Sequence, residues 1–168
     1  MTTGLTMKPC TTASFRRFFM HYLLALAVLG ADQLSKAWIA QVIPYGHSRV
    51  IIRGFFSLTY VRNTGAAFSM LPFYNWLFIS VGAAALAAVV IYRRRIAVQS
   101  SLVRFGIGII LGGILGNQID RIRLGGVNDF LDFHHWPIFN LADTALFCGV
   151  GIVLLGLFRA DKMQAGEG

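Results

Sequence analysis

Apolar residues gather in four runs, near 18–42, 73–92, 103–121 and 138–158. Each is close to the roughly 20 residues an α-helix needs to cross a bilayer. Only the second is free of charge over that length. The first carries Asp32 and Lys36, the third closes on Asn117, Asp120 and Arg121, and the fourth opens on Asn140 and Asp143. Between the first and second runs, segment 47–69 loses the helical period. It is rich in Val, Ile, Phe, Thr and Tyr, with Gly54 as a turn, which reads as strands. The pattern predicts a mostly α membrane protein. Four transmembrane helices form it, with a small β-sheet between helices 1 and 2 lying on the outer membrane surface. Phe55, Phe56 and Tyr60 are expected in the interface, where aromatic rings are favoured. Residues 1–14 read as a disordered cytoplasmic tail, 15–160 as a single four-helix membrane domain and 161–168 as a second cytoplasmic tail.

Composition agrees with this reading. The 168 residues are 56% hydrophobic and only 13% charged, against about 25% charged in soluble domains. No separate soluble module fits in this length. Lys and Arg number 15 against 7 acidic residues, but the basic residues sit at the ends of apolar runs rather than in a stripe with aromatics. That placement marks membrane orientation and not nucleic-acid binding. Arg16 and Arg17 before an apolar run look like a signal peptide, yet no small-residue cleavage pattern follows, so the segment reads as a retained anchor. Cys10 and Cys148 have no spacing that suggests a metal site or a disulfide.

Orientation follows from the basic clusters. Lys8, Arg16 and Arg17 precede the first span, Arg93, Arg94, Arg95 and Arg104 separate the second from the third, and Arg159 and Lys162 follow the fourth. These positions place both termini on the cytoplasmic side. The polar residues late in spans one and three and early in span four then reach one level, the outer part of the bilayer. Ionisable groups at membrane depth are expensive and usually functional, so their convergence predicts one site facing the outer leaflet.

Asp129 and Asp143 are the leading candidates for chemistry. Two carboxylates in a low-dielectric site share a proton, and the pair then serves as base and acid. The structural alternative makes Asp143 a helix cap and Asp129 a loop residue. Asn117 and Arg121, like Asn140 and Asp143, are spaced to share helix faces. The amides suit a peptide backbone and the arginine suits a phosphate or ester oxygen; a structural pair of Arg121 with Asp120 or Asp32 is the other reading. Asp32 and Lys36, four apart, read as a local ion pair that makes both tolerable. Gly108, Gly112 and Gly116 form a small-residue row for close helix packing. Asp132, His134 and His135 are read as interfacial rather than metal-binding. No Ser or Cys is expected to sit with a His base and a third orienting group.

Five blocks carry a resemblance. They are Asp32-Gln33-Leu34-Ser35-Lys36, Arg62 to Ser69 (RNTGAAFS), Gly112 to Arg121 (GGILGNQIDR), Val127-Asn128-Asp129-Phe130 and Phe139-Asn140-Leu141-Ala142-Asp143. In this order they resemble the lipoprotein signal peptidase (signal peptidase II) family over nearly everything except the tails. The resemblance implies an aspartic endopeptidase of the bacterial inner membrane, with its sheet and active site toward the periplasmic side. Such an enzyme removes signal peptides from diacylglyceryl-modified prolipoproteins, cutting before the lipidated cysteine. It implies Asp129 and Asp143 as the catalytic dyad, Asn63, Asn117, Arg121 and Asn140 as site-lining residues, and Asp32 and Lys36 as supports. No metal or other cofactor is implied. The partners expected are the diacylated prolipoprotein and membrane lipids, and the chain is expected to be a monomer. Gly65, Ala66 and Ala67 are small enough to let the sheet approach a bulky lipid-peptide. Gln118 departs from the aromatic or apolar residue expected at that position.

Two other readings compete. A proton-coupled transporter would use Asp32, Asp143 and Arg121 as a relay, but the polar residues gather at one depth and no inverted repeat is evident. A non-enzymatic scaffold packed through the glycine row leaves the convergence unexplained.

Overall fold

The computed structural model describes residues 12–65 and 73–165, with side chains over 20–65 and 75–162. Its elements run α1 (Thr12–Val42), β1 (Ser48–Ile52), β2 (Phe56–Asn63), α2 (Phe73–Ile91), α3 (Arg93–Ala97), α4 (Ser101–Leu124), β3 (Val127–Asp132) and α5 (Leu141–Ala165). Helix α1 begins inside the stretch read as a tail, and α5 runs past the domain boundary at 160. Residues 1–11 and 166–168 lie outside the described residues, as do Ala66 and Ala67.

Among the described residues, three segments are long and apolar enough to cross a membrane: Met20–Val42, Ser101–Leu124 and Leu141–Lys162. Helix α2 contributes a shorter apolar segment, Asn75–Ile91.

Helix α4 lies between α1 and α5, and its glycines explain how. A Cβ on Gly108 would stand 2.6 Å from His21 O, and one on Gly112 would stand 2.7 Å from Ala25 O. On the other face, a Cβ on Gly106 would meet Gly149 O at 2.8 Å and one on Gly113 would meet Ala142 O at 2.6 Å. Two glycine rows, not one, therefore let α4 touch both neighbours backbone to backbone. The helix starts on Ser100, whose hydroxyl accepts from Val103 N at 3.3 Å. It stops at Gly125, whose φ of 72° is a left-handed cap that turns the chain into β3.

The sheet has the order β1-β2-β3 and is antiparallel throughout. Its third strand comes from the connection between α4 and α5, so the sheet is not confined to the segment between the first two helices. The short run Val127–Asp132, where the sequence pattern predicts no strand, borrows its identity from β2, with which it pairs. Ile39 and Ile43 at the end of α1 pack with Tyr60 and Phe130 to seat the sheet on the helical bundle. Tyr60 is therefore core rather than interfacial, whereas Phe55 is exposed.

Candidate active site

The β2–β3 register pairs Val61 with Asp129 and Arg62 with Asn128. It thereby sets Asn63 beside Asp129, and Asn63 Nδ2 donates to Asp129 Oδ2 at 3.0 Å. Beyond β3 the chain doubles back. Phe139 O accepts from Phe130 N at 3.0 Å and from Leu131 N at 2.8 Å, and Phe139 N donates to Leu131 O at 3.1 Å. This bridge brings residue 140 alongside 129.

Asn140 then caps α5. Its Oδ1 accepts from Asp143 N at 3.0 Å, and Asp143 Oδ2 accepts from Asn140 N at 3.3 Å. This is a reciprocal capping box. The helix-cap reading of Asp143 is thus correct and leaves its other oxygen for further use. Because Asn140 Oδ1 is committed to a backbone N–H, its amide nitrogen must face the other way. It donates to Asp129 Oδ1 at 2.6 Å and to Asn117 Oδ1 at 3.2 Å.

The same logic fixes Asn117. Lys36 has only donors, and its Nζ approaches Asn117 Oδ1 at 3.0 Å. Asn117 Nδ2 is therefore aimed at Asp143 Oδ1, 2.7 Å away. One lysine so determines which end of Asn117 reaches the carboxylate. Asp129 and Asp143 are joined through two oriented amides.

Lys36 is itself held by Asp32 Oδ2 at 2.8 Å and Asp120 Oδ2 at 3.1 Å, with all three side chains buried. Asp32 Oδ1 also accepts from Ala142 N at 2.9 Å, which satisfies a donor left open at the start of α5. Asp120 Oδ2 accepts from Asn128 N at 3.1 Å and ties α4 to β3. Gln33 Nε2 reaches Asp120 Oδ1 at 3.0 Å and Asp32 Oδ2 at 3.2 Å. Asp120 and Gln33 were not singled out as site residues. Their position in the quoted blocks, with Asp120 three residues after Asn117, is the signal that points to them.

Among the described residues Arg121 forms no ion pair with Asp120 or Asp32. Its guanidinium lies 4.9 Å over the Phe78 ring and interacts with the charges of Asp143, Asp129 and Asp120. Gln118 Nε2 donates to Phe78 O at 2.9 Å, so it ties α4 to α2 where Gly82 leaves room. Gly65, with φ of 91°, closes a turn in which its N–H donates to Asn63 Oδ1 at 2.9 Å. That bond orients the Asn63 amide toward Asp129.

Burial pushes the Asp129 carboxyl up to about 6. Hydrogen bonds from Asn140 and Asn63 hold it back, the charge of Asp143 adds to the rise, and Lys36 opposes it. A carboxyl poised this close to neutrality, beside a second one, suits acid–base work.

Apolar hollows flank Asp143 on the surface of α5. One, of about 550 Å³, is lined by Phe133, Trp136, Phe139, Thr144 and Phe147. The other, of about 590 Å³, follows Leu146, Val150, Gly151 and Leu154 along the helix.

A second polar array lies at the sheet. Ser57 Oγ stands 3.2 Å from His134 Nε2, and His134 Nδ1 stands 3.9 Å from Asp132 Oδ1. A serine does therefore meet a histidine and a carboxylate, contrary to expectation. Strand pairing between Ser57 and Asp132 brings this about. His134 Nδ1 is too far from Asp132 Oδ1 for a hydrogen bond, however, so no third group orients the histidine as a triad needs.

A family model for signal peptidase (SPase) II matches residues 24–159. The chain belongs to the signal peptidase II family. It is 40% identical over 144 residues to a lipoprotein signal peptidase of Halothermothrix orenii, spanning 86% of this chain and 99% of that one. It is 47% identical over 147 residues to a lipoprotein signal peptidase of Moorella thermoacetica, spanning 86% and 97%. A solved bacterial membrane enzyme, determined by the in meso method at 1.9 Å resolution, superposes with a TM-score of 0.75 at 33% identity, covering 82% of this chain and 91% of that one. Family and fold agree on a protease that is a multi-pass bacterial membrane protein. Within this signal peptidase II, both carboxylates and the two bridging amides come from the blocks that first suggested the family.

Proposed function

We propose that this signal peptidase II is an aspartic endopeptidase whose dyad is Asp129 and Asp143, and that it removes signal peptides from diacylglyceryl-modified prolipoproteins. The observation that carries the reading is the linkage of the two carboxylates through Asn140 and Asn117, at the one end of the bundle where the ionisable groups of three helices converge. The ionised member takes a proton from water, and the water oxygen attacks the scissile carbonyl carbon. The protonated member donates to the carbonyl oxygen. Collapse of the resulting diol breaks the C–N bond as a proton passes to the leaving amine, and the dyad returns to its starting state.

The fit to a lipid-bearing substrate rests on the apolar hollows beside Asp143. They offer acyl chains a surface that stays in lipid while the peptide bond meets the carboxylates. Asn63, Gly65, Asn117, Arg121 and Asn140 line or orient this site, and Asp32 and Lys36 support it. In this reading α2 is a fourth span and the termini are cytoplasmic. The chain acts as a monomer in the inner membrane, with the dyad toward the outer leaflet. No observation favours the transporter reading.

Purified protein offered a diacylglyceryl-modified precursor and its unmodified counterpart tests this. Cleavage before the cysteine of the modified form alone, unchanged by a chelator, is expected. Equal cleavage of the unmodified form, or loss of activity with chelator, would overturn it.

A further inference from the structure

At the end of the bundle away from the dyad, α1, α4 and α5 leave an apolar cavity of about 740 Å³. Leu24 and Ala27 of α1 and Leu102 and Phe105 of α4 line it, and Arg104 and Arg159 stand in its wall. Along α4, roughly 20 Å of helix separates Arg104 from Asn117, so the cavity is distinct from the carboxylate network.

The charges are the informative feature. Arg104 Nη1 donates to Ala97 O at 3.3 Å and to Gln99 O. These bonds fix the guanidinium at the cavity without neutralising it. Arg159 is exposed. Among the described residues, neither arginine pairs with a carboxylate. The helix α3, with Arg93, Arg94 and Arg95, leads directly into this end of α4.

An apolar chamber with two uncompensated guanidinium groups, placed where spans end, is complementary to an anionic amphiphile. A small soluble anion would gain the charges but leave the apolar wall empty. A zwitterionic lipid would fill the wall, but its own cation would offset the phosphate and leave the two guanidinium charges uncompensated. We infer that this cavity binds an anionic phospholipid of the leaflet opposite the dyad. An acyl chain lies along Leu24, Ala27 and Phe105, and the phosphate meets Arg104 and Arg159.

The test uses the full chain, delipidated in detergent and titrated with phosphatidylglycerol or with phosphatidylcholine of the same chains. Bound lipid is counted by native mass spectrometry. Phosphatidylglycerol should be held on the order of tenfold more tightly. The R104Q/R159Q variant should hold the two lipids equally. The R93Q/R94Q variant, with the same loss of charge on α3, should keep the preference. Ala27→Trp should weaken both lipids by filling the chamber, and excess inorganic phosphate should displace neither. If R104Q unfolds the end of the helix, R159Q alone, at an exposed position, should still cut the preference several-fold. The inference is overturned by equal retention of both lipids by the unaltered chain, or by an unchanged preference in the arginine variants. Equal loss in R93Q/R94Q, or a dimer that lipid does not displace, overturns it as well.

Discussion

Asn140 Nδ2 stands 2.6 Å from Asp129 Oδ1, and the backbone N–H of Asp143 leaves the Asn140 amide no other orientation. The helix cap of α5 is therefore also the arm that holds Asp129. Structural and chemical roles are merged in one residue, which makes the following consequences testable.

Removing a hydrogen bond to the charged form of Asp129 must raise its pKa further. An inflection near pH 6 is expected in the pH–rate profile of cleavage, from the position of the Asp129 carboxyl. Because the dyad is coupled, the inflection belongs to the pair. Asn63→Ala deletes a bond that lowers Asp129, and should move that inflection upward by a fraction of a unit to about one unit. A downward move would contradict the geometry.

The same carboxyl makes stability depend on pH with a definite sign. Its pKa is raised in the folded protein above the unfolded value of about 3.9. The folded state therefore binds more protons between these values. The contribution is full below about pH 4 and is lost as pH rises through 6, by up to about 3 kcal/mol. Asp129→Asn removes this dependence. Thermal unfolding in detergent should show the variant gaining on the parent as pH rises from 4 to 7. A gain of the same size at both pH values would refute the shift.

Lys36 sits between two buried carboxylates and aims Asn117. Lys36→Met leaves Asp32 and Asp120 uncompensated and should destabilise by about 3–5 kcal/mol. The double variant Asp32→Asn/Lys36→Met should recover part of that loss. A double-mutant cycle on unfolding midpoints reads the coupling, and additivity would show that the pair does not interact.

Gly116 faces Asp32 so closely that an added Cβ would lie 3.0 Å from Asp32 Cγ, and nearer still to Oδ2. Asp32 is pinned by Lys36 and Ala142 N, so it cannot withdraw. Gly116→Ala should cost about 1–3 kcal/mol in unfolding measurements. Gly30→Ala meets nothing within 4 Å and should be neutral or stabilising by up to about 1 kcal/mol.

Much of this was legible from one-dimensional pattern because it is local. The Asp32–Lys36 pair follows from a four-residue helical spacing, and the three long apolar runs follow from length and composition. Topology predicts that Asn117 and Asn140 reach a common level, and a hydrogen bond of 3.2 Å joins them. The parts that escaped depend on distant pairing. Nothing in Val127–Asp132 alone marks a strand, since its partner β2 lies more than sixty residues earlier. The Ser57–His134 contact and the burial of Tyr60 follow from that pairing. Proximity along the helix offers Asp120 or Asp32 as the structural alternative for Arg121, whereas Lys36, from another helix, pairs with both carboxylates.

The most direct test of the central claim replaces each proposed catalytic carboxyl by its amide. Asp129→Asn and Asp143→Asn keep shape and much of the hydrogen bonding while removing proton exchange. With protein that unfolds at a temperature comparable to the parent, cleavage of a diacylglyceryl-modified prolipoprotein should fall in each by on the order of a thousandfold or more. Cleavage at the parental rate in either variant would contradict the dyad.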